Sequence, residues 1–91
     1  MPLTWKTDSV ESEEEVVRRI EKDIAIFSDN IKQIRMDELS GEERKIVELA
    51  EMYAKDSKAF LSKDQRYTAF ASIAYAHGLL DSIRKLKNLM E

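Results

Sequence analysis

The 91-residue sequence contains no cysteine, one histidine, one proline, one tryptophan and two glycines. Without cysteine there are no disulfide staples and no thiolate metal sites, which suits a reducing compartment. Long apolar runs are also missing. The longest stretch without a charged residue ends at Leu80 and falls short of the ~20 residues that span a bilayer. The opening MPLTWKTDSVESEEE lacks the apolar segment of a secretory signal. Nor is there an excess of basic charge. The formal net charge is −3, whereas a protein that coats phosphate backbones needs the opposite sign. These absences point to a soluble, cytoplasmic protein that neither enters membranes nor binds nucleic acid.

Charge of both signs is abundant. Asp, Glu, Lys and Arg make up 36% of the chain, against the usual ~25%, yet the 43% of apolar residues still suffices for a core. A chain of this length buries roughly 60–65% of its unfolded surface, enough for one modest core. Residues 1–10 show no periodicity and read as an irregular tail carrying Trp5, and residues 11–91 as a single domain.

Apolar residues in that domain follow helical spacing. Val10, Val17, Ile24 and Ile31 recur every seven residues, with Ile20, Phe27 and Ile34 interleaved, which predicts a long helix over 11–36 packing at a shallow angle on its partners. Ser12 with Glu15, and Ser40 with Glu43, have capping-box spacing. A second helix is predicted over 42–61, with Ile46, Leu49, Tyr53 and Phe60 on one stripe and Ala50 and Ala54 beside it. A third is predicted over 64–90, N-capped by Ser62 or Asp64 and facing its core with Phe70, Ile73, Ala76, Leu80, Ile83 and Leu89. Strand-like alternation is absent. Three helices on short connections must run up, down and up, so the fold class is an all-α three-helix bundle. Antiparallel pairing of the last two about residue 62 makes the numbers of facing residues sum to about 125, which brings Asp56 near Arg66.

Several groups are candidates for chemistry or recognition. Tyr67, Ala71, Ala74, Gly78 and Ser82 recur at three or four and form a shallow strip of small side chains on helix three. Such a strip suits close packing against helix one or two, or alternatively a second protomer or partner helix. His77 stands four residues before Asp81, the spacing of a carboxylate-oriented imidazole. No thiol, second histidine or serine in a nucleophile-elbow context completes a catalytic set, so His77 reads as a structural residue hydrogen-bonded between helices. Tyr53, Asp56 and Ser57, with Tyr75, His77 and Asp81, make a possible polar recognition cluster or a polar layer fixing helix register. Lys55, Lys58, Lys63 and Arg66 gather near the second turn, a group that suits a phosphate. Basic residues also belong at a helix C-terminus for dipole reasons, and the patch has no interleaved stacking aromatic besides Tyr67. No catalytic, cofactor-binding or metal-ligating residues are assigned, and no cofactor is expected.

The stretch from Tyr53, YAKDSKAFLSKDQRYTAFASIAYAHGLLDSIRKL, resembles the archaeal domain of unknown function 357 family. The carrying residues are Tyr53, Asp56, Ser57 and Phe60, then Ala69, Phe70, Tyr75, Ala76, His77, Gly78, Leu80 and Asp81. The resemblance implies a small archaeal three-helix bundle similar in topology to immunoglobulin- and albumin-binding domains. It implies no activity, and similarity of fold does not transfer binding of immunoglobulin or albumin.

The sequence is read as a non-enzymatic protein–protein interaction or assembly module, with a homodimer or another protein as partner. Trp5, Val16, Ile26, Gly78, Leu79 and Leu86 are the candidate interface residues, lying off the main seams. The alternative is a small-ligand or nucleotide-binding accessory domain using the polar cluster. A metal-dependent hydrolase would need carboxylates and His77 from two chains to converge.

Overall fold

A computed structural model describes residues 12–89. Their helices are α1 (Glu13–Ile31), α2 (Gly41–Ser62) and α3 (Arg66–Leu86), with a short 3₁₀ turn at Met36–Glu38 between α1 and α2 and no strand among the described residues. The protein is an all-α three-helix bundle. Val10 and Trp5 lie outside the described residues.

Both capping boxes form. The Ser12 hydroxyl accepts from the Glu15 backbone N–H at 3.2 Å, and the Ser40 hydroxyl accepts from that of Glu43 at 3.1 Å. Each glutamate reaches back to its serine's backbone N–H, at 3.3 and 2.9 Å respectively. These bonds satisfy N–H groups that the first helical turn leaves without partners. Helix α1 ends at Ile31, five residues short of the predicted position. The N–H groups of Gln33 and Ile34 bond back to Asn30 and Ile31 at 3.1 Å, so the last turn tightens and the chain leaves the helix. Ile34 and Met36 still pack on the core from outside the helix, which is why the apolar beat outlasts it.

The N-cap of α3 also differs from expectation. Gln65 holds that position with no side-chain bond, rather than Ser62 or Asp64. Gln65 N–H bonds to the Phe60 carbonyl and Asp64 N–H to the Leu61 carbonyl, a Schellman closure of α2 that places Asp64 at φ 61°. Asn88 (φ 58°) repeats this closure at the end of α3, with Leu89 N–H bonded to Arg84 and Asn88 N–H to Lys85. Asp and Asn tolerate this left-handed conformation better than other residues with a Cβ.

The core is built of small and branched side chains. Ile20, Ile24 and Phe27 of α1 meet Val47, Ala50 and Ala54 of α2 and Ala69, Ile73, Ala76, Leu80 and Ile83 of α3. The α2–α3 pairing is the broadest contact, and α1 lies more against α3 than against α2. Ser57 is fully buried at the α2–α3 crossing and donates a 2.6 Å hydrogen bond to the Ala69 carbonyl. This pairing, and the edge-on rings of Tyr53 and Tyr75 at 4.7 Å, match the antiparallel register read from the sequence. The inward stripe of α2 differs from that reading. Val47, Ala50, Ala54 and Ser57 face inward, Ile46, Tyr53 and Phe60 are half-buried, and Leu49 is exposed. A close crossing admits the small side chains and sends the large ones to its rim. For the same reason Ala69 takes the buried place expected of Phe70, which is 45% exposed, and Leu89 also lies outside the core.

Candidate functional site

The six residues of the polar cluster do not form one site. Ser57 is consumed inside the α2–α3 crossing. Tyr53 and Tyr75 stack edge-to-face. His77, two residues after Tyr75, stands about 200° further around α3, and it faces α1. Its Nε2 donates to the Asp23 carbonyl at 2.8 Å, and its ring meets Phe27 edge-on at 5.7 Å. The imidazole thus joins α1 to α3. Asp81 does not orient it, because the Asp81 carboxylate accepts from Arg84 at 2.9 Å. Arg84 also donates to Gln33 at 3.1 Å, tying the end of α1 to α3. The expected pairing of Asp56 with Arg66 is not made either. Arg66 pairs with Asp64 and, at 3.0 Å, with Glu13.

The basic group at the second turn separates as well. Lys55 and Lys58 line a cleft between α1 and α2 alongside Glu51 and Glu21, while Arg66 is held by carboxylates. Among the described residues, no group of three or more His, Asp or Glu side chains is arranged to hold a metal ion. None of their buried side-chain polar atoms lacks a hydrogen-bond partner.

Two carboxyls among the described residues, both at helix starts, are shifted from their ordinary value. The backbone N–H of Ser40, and then Lys87 at 3.0 Å, hold the Glu43 carboxyl below its ordinary value. Glu15 is lowered in the same sense, first by the backbone N–H of Ser12 and then by its hydroxyl. Both groups stabilise helix ends, and neither borders a site.

The strip of small residues on α3 stands in the open. Gly78 is exposed, and a Cβ built there would meet nothing within 4 Å, so the strip does not pack on α1 or α2. From Tyr67 to Leu80, α3 carries no Asp, Glu, Lys or Arg. Tyr67 (86% exposed), Tyr75 (53%), Phe70, Ala71, Ala74 and Gly78 present that uncharged surface to solvent. The contrast with α1 is sharp, since the exposed residues there include Glu13, Glu14, Arg18, Glu21, Lys22 and Asp29.

Residues 22–89 match the family described as a protein of unknown function, DUF357. The chain belongs to that family. No curated protein matches it. The match spans all of α2 and α3 and most of α1, so the uncharged surface lies wholly within the family domain. No helix among the described residues is long and apolar enough to cross a membrane.

Of the other interface candidates, Val16 and Leu79 pack against the core, while Ile26 and Leu86 (67% exposed) face solvent. Trp5 lies outside the described residues. Tyr67 belongs to the strip read from the sequence as a surface for a second protomer or partner helix. Phe70 and Tyr75 border it and stand in neither that strip nor the interface set. What marks these two is the absence of charge around them, rather than their spacing.

Proposed function

We propose that this DUF357-family chain is a small, non-enzymatic protein–protein interaction module of the cytoplasm, and that the outer surface of α3 is its contact face. One observation carries this reading. The stretch from Tyr67 to Leu80 turns an uncharged, aromatic-bearing surface to solvent on a molecule otherwise rich in charge. Loss of charge and enrichment in aromatics mark the centres of protein interfaces. The partner is a second copy of the chain or another protein, and Tyr67 and Tyr75 are the rigid anchors of the contact.

The test compares the wild type with an Ala71→Glu/Tyr75→Lys double variant. Sedimentation measures self-association, and affinity capture from the native organism measures other partners. Both sites are exposed, so the variant keeps its helical circular dichroism. The expected result is loss of self-association or of captured proteins. Identical behaviour of the two proteins in both measurements would refute the reading.

A further inference from the structure

Because α1 leans toward α3, an open groove remains between α1 and α2. It consists of two hollows of about 500 and 150 Å³ that share Ile24 and Lys58. Val17, Ile24 and Ile31 line its α1 side at intervals of seven residues, about 21 Å from end to end. Leu61 stands across from them on α2. We infer that this groove is the pairing face of a homodimer, in which α1 of each copy lies on α2 of the other about a two-fold axis parallel to the helices.

Three observations select a second copy as the occupant. The first is the repeat. Apolar residues spaced by seven suit a helical partner at a shallow angle, and Val17, Ile31 and Leu61 are only half-buried in the single chain. The second is direction. Helices α1 and α2 run antiparallel, so the rotation makes every neighbouring pair in the four-helix layer antiparallel, as in four-helix bundles.

The third is charge. Glu21 and Lys58 both border the larger hollow, and so face each other at one level from opposite edges. Neither makes an ion pair among the described residues. A two-fold along the groove exchanges the edges and keeps the level. Glu21 of each copy then meets Lys58 of the other, giving two ion pairs. Further along, Glu51 and Lys55 of one copy meet the uncharged Ser28 of the other, because these three border the smaller hollow. A face whose acid and base exchange under the two-fold is complementary to itself. It is only two helices wide, which places the pairing in the weak, reversible class.

The groove shares no residue with the outer surface of α3, so this inference goes beyond the proposed contact face and fails separately from it. Sedimentation across a micromolar concentration series, with helical circular dichroism as the control for folding, tests it. Glu21→Lys and Lys58→Glu are exposed single reversals that each set like charges together twice per dimer. Each is expected to raise the dimer Kd roughly tenfold or more. The Glu21→Lys/Lys58→Glu double variant regains the wild-type Kd within a few-fold, and Ala71→Glu/Tyr75→Lys on α3 leaves it unchanged. A wild type that is monomeric throughout overturns the inference and leaves the groove to a different protein. A dimer indifferent to both single reversals, or one that the folded double variant does not regain, overturns it too. Loss of the dimer in the α3 variant alone overturns it in favour of pairing through α3.

Discussion

At the scale of single residues, the helical glycine and the buried alanine of α3 have opposite roles. Gly78 meets nothing that a methyl group would disturb. Gly78→Ala is therefore expected to raise stability by about 0.8–1 kcal/mol through helix propensity alone, read as a higher urea midpoint with unchanged slope. Ala69 is fully buried, and its carbonyl accepts the Ser57 hydroxyl. Ala69→Leu should overpack that crossing and cost about 1–3 kcal/mol. If the two substitutions ranked the other way, the assignment of inner and outer faces on α3 would be wrong. The uncharged run of helix three was legible in the sequence, but its orientation was not. With no charged residue from Tyr67 to Leu80, nothing in that stretch marks the solvent side, and small residues fit a buried crossing and an open strip equally well. His77 was legible as an interhelical hydrogen bonder. Its supposed partner Asp81 was misread, because arginine three residues on competes for the same carboxylate.

At the scale of elements, helix starts were clear from sequence and helix ends were not. A capping box is a local pattern of two side chains, and both boxes form as spelled. A helix end depends on where the backbone bonds back, and the apolar beat through Ile34 records burial, not backbone conformation. The two left-handed closures invite a direct test. Asn88→Gly removes the Cβ that the φ of 58° disfavours and should raise stability by up to about 1 kcal/mol, visible as an increase in Tm. The caps also set a pH response. The carboxyls of Glu15 and Glu43 are lowered from 4.5 in the folded chain, so each favours folding above that value. Their contribution is lost as pH falls below 4.5 and through the lowered folded values. Glu15→Gln and Glu43→Gln, which remove the titrating carboxyls themselves, should each make the urea midpoint less sensitive to pH on this acid limb. A wild-type slope retained in both variants would exclude the caps as its source.

At the scale of the whole molecule, the bundle is a helical hairpin with a third helix laid on it. The α2–α3 pair holds the broader contact, whereas α1 is fastened by its apolar stripe and by a few polar ties: His77 to Asp23, Arg84 to Gln33, and Arg66 to Glu13. Hydrogen exchange is expected to divide along this line, with α1 amides opening locally and the central amides of α2 and α3 exchanging only on global unfolding. Equal protection of all three helices would count against it. The link 63–65 between α2 and α3 also has a kinetic consequence. With so short a closure, most of the chain's native contacts join residues near in sequence, which places folding in the microsecond-to-millisecond range. The α2–α3 turn is then the natural nucleus, and α1 docks late. In stopped-flow chevrons, Ser57→Ala should mainly slow refolding, and His77→Ala should mainly speed unfolding.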